Sequence, residues 1–149
     1  MTFAVVDYSN LVKQAQEDVW RLIDESTAVQ AFTTNILNNQ PASKVGERIG
    51  VPYIVIPTPR IDERRLTLTQ KQIFIIFEIE IVFTRIDNLG LIDAVRTLLS
   101  SNSSTFSGTY RLHQFLINDA GVDYITLPDG HKAQSYKLPV EFEWIGDPA

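Results

Sequence analysis

One run of thirteen residues, Gln72–Thr84, constrains the fold more than any other part of the chain. It contains neither glycine nor proline, and every second residue is apolar without exception: Ile73, Ile75, Phe77, Ile79, Ile81 and Phe83. A period of two predicts a β-strand with one face packed on a core. Thirteen residues in this conformation span roughly 43 Å. We therefore expect the strand to project past its own domain or to bend at a bulge.

The start of this strand is apolar on both faces. Phe74 and Ile76 interrupt the face that carries polar residues further along, so Ile73–Phe77 has no side suited to water. An exposed run of this kind favours aggregation, which predicts that something covers both sides. Three covers are available: another subunit, which we favour, or, within the chain, the Phe3–Val5 segment or Phe32 with Ile36.

Two helices and four further strands are predicted around the long strand. They are a helix over Tyr8–Ile23, a strand Tyr53–Ile56, a helix Asn88–Ser101, and strands Tyr110–Ile117, Val122–Leu127 and a last one ending at Trp144. Residues 26–51 are consistent with a short helix or a packed loop. This order predicts a single α+β domain over residues 1–149, with a mainly antiparallel sheet of about five strands and two main helices packed on one face.

The first helix is amphipathic. Its apolar residues recur at steps of three and four, from Tyr8 and Leu11 to Ile23. The opposite, polar face is predicted to carry Lys13, Gln14, Glu17, Asp18 and Arg21.

Composition excludes several classes of function. The chain has no cysteine, which excludes disulfides, iron–sulfur clusters, thiolate zinc sites and a cysteine nucleophile. The net charge of -5 disfavours general nucleic-acid affinity. No phosphate-binding or nucleophile-elbow motif occurs, and His113 and His131 lack a third metal ligand at a recognisable spacing. We therefore predict no catalysis and no cofactor. No secretory signal or membrane helix is predicted, which indicates a cytoplasmic protein.

Two pairs of carboxylates lie on predicted strands. Glu78 with Glu80, and Glu141 with Glu143, are two residues apart, so each pair shares a face of its strand. On neighbouring strands the four could cluster, raise one another's pKa and serve acid–base chemistry or bind a cation. The favoured interpretation is a pair of solvated polar faces. A third interpretation is an acidic surface along which DNA passes without binding.

Basic residues concentrate just before the long strand. The first 71 residues carry eight basic and eight acidic groups, whereas the remainder carries five and ten. The segment Thr58–Lys71 is predicted to be a basic loop, either solvated or in contact with an acidic neighbour such as another copy of the chain. Its charges are Arg60, Arg64, Arg65 and Lys71 against Asp62 and Glu63.

The element order resembles that of the tail terminator and tail completion proteins of long-tailed bacteriophages. The residues that carry the resemblance are an amphipathic N-terminal helix, the strand Val51–Ile56, the long strand after a polar loop, the helix Asn88–Ser101 and a last strand Val140–Trp144. The resemblance implies a virion structural protein that forms an oligomeric ring, usually a hexamer, closes the tail tube and joins tail to head. The implied partners are other copies, the tail tube protein, the head connector or neck protein, and viral DNA passing through.

The resemblance also implies roles for particular residues. Arg60, Arg64, Arg65, Phe74 and Ile76 would lie at a subunit or tube interface, whereas the acidic set Glu78, Glu80, Glu141 and Glu143 would face the channel. Assembly would occur in the host cytoplasm before incorporation into the tail or neck of the virion. Alternatives are another neck or head-completion protein, a small ligand-binding or hydrolytic α+β protein that uses His113 and the two glutamate pairs, and a host-encoded interaction domain.

Overall fold

A computed structural model describes residues 7–39, 51–101, 110–115, 121–127 and 130–147. Within them the helices are α1 (Leu11–Asp24), α2 (Thr27–Gln30) and α3 (Leu89–Ser101), the last preceded by a 3-10 turn at Ile86–Asn88. The strands are β1 (Ile36–Asn38), β2 (Tyr53–Ile56), β3 (Arg60–Arg65), β4 (Lys71–Phe83), β5 (Tyr110–Phe115), β6 (Gly121–Thr126) and β7 (Lys132–Gly146). The predicted α+β class is confirmed, and the sequence-based bounds of β2, β4 and α3 agree to within one residue.

The sheet is organised around two long antiparallel strands. All thirteen residues of β4 pair with β7, from Lys71 opposite Gly146 to Phe83 opposite Gln134. On the other side of β4, β2 and β3 follow one another along the same edge. On the far side of β7, β5 and β6 do the same. All of the long strand is therefore paired within this sheet, and the expectation that it projects past its own domain is wrong.

The predicted strand count and strand directions need correction. The described sheet has seven strands rather than about five, and it is mixed because β1 runs parallel to β2. The two missed strands are short or charged: β1 has three residues, and β3 reads Arg-Ile-Asp-Glu-Arg-Arg. Neither shows an apolar alternation, so their pairing depends on the partner strand. The short helix α2 is the third helix of the described chain.

The main core lies between the helices and one face of the sheet, here called the inner face. Ile73, Ile75, Phe77, Ile79, Ile81 and Phe83 of β4 are fully buried there. They share one cluster with side chains from all three helices, including Val19, Val29 and Leu91. The period-two prediction for this face is confirmed. Trp20 and Gln16 fasten α1 to the sheet by donating to the carbonyl oxygens of Ile36 (3.1 Å) and Ile56 (2.7 Å).

The opposite, outer face carries the even-numbered residues of β4. A second, smaller apolar cluster forms at one end of this face around Tyr53, Val82 and Ala133. The register places Gln72, Phe74, Ile76, Glu78 and Glu80 along the rest of the same face. All the interface and channel residues predicted on the long strand therefore lie on the outer face.

Candidate interaction surfaces

The predicted basic loop is a strand and a hairpin. Arg60–Arg65 forms β3 and pairs antiparallel with Lys71–Ile76, so the backbone of this segment is a strand of the sheet while most of its side chains are exposed. Every residue from Asp62 to Gln70 is exposed. A charged strand of this composition discourages uncontrolled pairing with another chain at that edge.

The cations of the hairpin have different environments. Arg64 lies 3.3 Å from Asp62 and its guanidinium carbon is 5.2 Å from the centre of the Phe74 ring. Lys71 lies 3.3 Å from Glu63, and the hydrogen bond to that carboxylate is the largest cause of the raised pKa of Lys71. Arg60 and Arg65 form no ion pair with any described residue. They are therefore the cations best placed to meet an external carboxylate.

Residues 66–70, here called the hairpin tip, form a compact loop. The amides of Leu66 and Thr67 both donate to the carbonyl oxygen of Gln70, at 3.0 and 3.2 Å. The Thr67 hydroxyl accepts from the amides of Thr69 (3.3 Å) and Gln70 (3.0 Å). Leu68 is 91% exposed at this tip. These hydrogen bonds fix the backbone of the hairpin tip, and the Leu68 side chain extends from it into water.

Phe74 and Ile76 lie on the outer face, as their alternation with the core residues requires. Their side chains are 7% and 9% exposed within a single chain. Arg64 stacks on Phe74, whereas Phe32 and Ile36 pack in the helix-side core and so do not cover the outer face. The Phe3–Val5 segment lies outside the described residues. Burial of Phe74 and Ile76 therefore does not in itself require a second subunit.

The four predicted channel carboxylates have three different environments. Glu141 and Glu143 are 9% and 6% exposed, so the expectation of solvated polar faces is wrong for these two. Gln114 donates to Glu141 at 2.9 Å and Gln72 donates to Glu143 at 2.7 Å. Glu78 is exposed. Of the four carboxylates, Glu78 is therefore the one most accessible to solvent, and so to anything that passes along the outer face.

Glu80 belongs to a polar cluster on the outer face. The ammonium group of Lys137, directly opposite on β7, forms an ion pair with it, and the Ser135 hydroxyl donates to the same oxygen at 2.7 Å. Tyr53 lies nearby, and burial, followed by the charge of Glu80, raises the pKa of its hydroxyl. This arrangement fixes Glu80 by local contacts.

Lys137→Met should lower the free energy of unfolding by about 0.5–1 kcal/mol, because it removes a partly shielded cross-strand ion pair while keeping the aliphatic stem. Urea denaturation measures the loss, which should shrink at high salt. Lys132→Met at the start of β7 is the matched control, since Lys132 is exposed, donates to the Thr126 hydroxyl and forms no ion pair with a described residue. An equal loss in both variants would contradict the pairing.

The structure corrects the prediction that Asp18 lies on the polar face of α1. Its side chain is completely buried. Gln14 donates to its Oδ1 at 2.8 Å, but Oδ2 is buried without a hydrogen-bond partner. Burial raises the pKa of this carboxyl to about 6, against the opposing effects of Gln14 and Arg21. The spacing Leu11, Ala15, Asp18, Leu22 is that of one helical stripe and could have identified it.

No candidate metal site is present in the described part of the chain. No three His, Asp or Glu side chains of these residues lie close enough to hold a metal ion. His113 falls within β5, but its side chain lies outside the described set. The carbonyl of His131 accepts from the Leu127 amide in a turn where Gly130 has φ +89°, as the predicted turn requires of a glycine. Residues 128 and 129 of that predicted turn are outside the described ranges.

An open groove of about 500 Å³ runs between the start of α1 and the inner side of β3. Its walls include Tyr8, Val12 and Ile61, and Glu63 lies at its rim, accepting from the Tyr8 hydroxyl at 3.2 Å. The groove is open and largely apolar. It therefore suits the packing of apolar side chains and does not bring together polar groups arranged for catalysis.

No family model matches the chain, and no curated protein matches it. Within the described residues, no helix is long and apolar enough to cross a membrane. A function is therefore inferred from element order and surface chemistry alone.

Proposed function

We propose that this chain is a virion structural protein that closes the tail tube of a long-tailed bacteriophage and joins the tail to the head. It acts as a ring of identical subunits, with six as the expected number, and without catalysis. The observation that carries the proposal is the order of elements: an N-terminal helix, the strand β2, a polar hairpin, the long strand β4, the helix α3 and three closing strands.

The surfaces agree with an assembling role. The hairpin presents Arg60 and Arg65, which form no ion pair with any described residue, and the exposed Leu68 on a loop held by its own backbone hydrogen bonds. Subunit contacts through the hairpin would leave the sheet intact, because β3 is already fastened to β4 by six residue pairs. A neighbouring role as a neck or head-completion subunit would use the same features. The two roles differ in which assembly intermediate accumulates when the protein is missing.

Disruption of the gene in a virus that encodes this chain tests the proposal. We expect infected cells to contain filled heads and separate tails, with tails of irregular length because the tube is not closed. Electron microscopy of lysates measures this, and supply of the intact gene in trans is the control. Joined, infectious particles without the protein would overturn the proposal, whereas tails of normal length with defective heads would favour the head-completion role.

The ring itself is tested on the purified chain. Native mass spectrometry and negative-stain microscopy at micromolar concentration should show a closed ring with a central opening. A strictly monomeric protein, both alone and with tail tubes added, would contradict ring formation.

A further inference from the structure

The buried side chain of Asp18 lies in the surface by which α1 packs on the core. Leu11, Ala15 and Leu22 of the same surface belong to the main apolar cluster. Oδ1 of Asp18 accepts from Gln14 at 2.8 Å, whereas Oδ2 is buried and has no hydrogen-bond partner. A charged oxygen in such a place is costly, because neither water nor a donor replaces its hydration. The closed position of α1 therefore favours the protonated carboxyl.

The hydrogen bonds that fasten α1 to the sheet lie on the opposite side of the helix from Asp18. Gln16 and Trp20 donate to the carbonyl oxygens of Ile56 and Ile36 at 2.7 and 3.1 Å. Each of the two donors is two residues from Asp18, which is about 200° around an α-helix. A rotation of α1 about these bonds would therefore move the Asp18 side most and keep the other side attached to the sheet.

Water lies close to the Asp18 side of the helix. Gln14 and Arg21 are about one turn before and after Asp18, on the side away from Gln16 and Trp20, and both are only half-buried. The Arg21 side chain is 38% exposed. A small outward movement of this edge of α1 would therefore hydrate Oδ2.

Within α1, three neighbours act on the charge of Asp18. The hydrogen bond from Gln14 and the charge of Arg21 favour the ionised carboxyl, and the charge of Glu17 opposes it. Burial outweighs the two favourable contacts and raises the pKa. The closed position is therefore held against ionisation by desolvation rather than by a nearby anion.

The elements packed against α1 bring few further charges among the described residues. Strands β1 and β2 and helices α2 and α3 are these elements. β1 and α2 contain no charged residue, and Tyr53 of β2 lies on the outer face of the sheet. On α3, Asp93 and Arg96 are both exposed. None of these groups offers Asp18 a buried cation as a partner.

We propose that Asp18 is a proton-sensitive latch for α1. With the proton bound, α1 lies closed on the core. When the carboxyl ionises, α1 shifts toward an open position, rotated about the Gln16 and Trp20 bonds, in which water hydrates Oδ2. Ionisation favours the open position because the charge costs less there, so the two positions exchange population as the pH changes. The latch acts within one subunit and does not depend on the proposed function.

Hydrogen exchange of the backbone amides of the full chain, between pH 4 and pH 7.5, tests the latch. Protection of the α1 amides, corrected for intrinsic rates, should fall by roughly 10- to 100-fold over this range. The reason is that the carboxyl has a pKa of about 6 when closed and returns toward 3.8 when hydrated. Amides of β4 should stay better protected than those of α1 at every pH, and low urea should accelerate their exchange more.

Asp18→Asn should abolish the fall in α1 protection. This variant keeps both histidines, which also titrate near this range, so a fall that persists in it would be theirs and would rule out the latch. Gln14→Met removes a donor that favours the ionised carboxyl and should move the midpoint of the fall to higher pH. Glu17→Gln is the matched control, because it neutralises a half-buried carboxylate of the same helix and should keep the fall.

Circular dichroism verifies that each variant is folded, and the midpoint shift in Gln14→Met decides the matter if Asp18→Asn does not fold. Amides of α1 that exchange at the same rate as those of β4, with the same response to urea, would show that α1 opens only when the whole chain unfolds. That result, or protection of α1 that does not change with pH in the wild-type chain, would overturn the latch.

Discussion

Asp18→Asn should raise the free energy of unfolding at pH 7.5 by about 1–2 kcal/mol. The Asp18 carboxyl has a pKa of about 6 in the folded chain against 3.8 in its ordinary state, mainly because burial disfavours the charge. A shift of that size corresponds to at most about 3 kcal/mol. Asparagine removes the charge and retains an acceptor for Gln14, but its amide nitrogen takes the place of the unpartnered Oδ2, which offsets part of the gain.

The gain should depend on pH in a defined direction. The folded chain holds the Asp18 proton more tightly than the unfolded chain does. The stabilising contribution is therefore fully present below about pH 4, is lost as the pH rises to about 6, and stays lost above that. The difference between variant and wild type should grow over that window and be within about 0.5 kcal/mol at pH 4.

Urea denaturation of both proteins at several pH values measures the effect. Asp93→Asn on the exposed side of α3 is the control, expected within about 0.5 kcal/mol at every pH. A variant that is less stable than wild type at pH 7.5 would show that Asp18 is held ionised by contacts other than those described.

Phe77→Ala should lower the free energy of unfolding by about 3–5 kcal/mol, a large share of the 5–15 kcal/mol typical of a domain. Phe77 is fully buried at the centre of the inner face. Its ring meets that of Phe142 on β7 edge to face, with centres 5.9 Å apart and an interplanar angle of 89°. Truncation removes this contact and leaves a cavity between the sheet and the helices.

The adjacent Glu78 supplies the comparison, because it lies on the same strand but its side chain is exposed on the outer face. Glu78→Ala should change stability by no more than about 0.5 kcal/mol. Chemical denaturation measures both variants. Similar losses in the two would contradict the assignment of inner and outer faces.

The strongest patterns of the sequence predicted the elements that hold the main core. Strand β4 was identified from its alternation, and α1 and α3 from apolar residues at helical spacing, because each pattern is complete within its own segment. Strand β3 gave no such signal, since its residues are charged on both faces. It becomes a strand because the backbone of β4 lies beside it and supplies the hydrogen bonds.

For the candidate contact surfaces too, the sequence shows some features and only the structure shows others. The cations of β3 were evident from the sequence, but their environments were not: Arg64 stacks on Phe74, whereas Arg65 has no ion-pair partner among the described residues. The sequence predicts a strand over Val122–Leu127 but does not show that Val122 and Tyr124 are exposed. Their exposure follows from the position of β6 beside β7 at the corner away from the hairpin.

The amino-acid sequence by itself determined the α+β class, the inner face of β4 and the uneven distribution of charge. Those properties depend on residue type and local spacing. The tertiary structure decided that Asp18, Glu141 and Glu143 are buried and that Phe74 and Ile76 are covered within one chain. Burial depends on which distant segments of the chain pack together. The free-energy cost or gain of burying a carboxylate or an aromatic ring is therefore set by its contacts in the folded chain rather than by its neighbours in sequence.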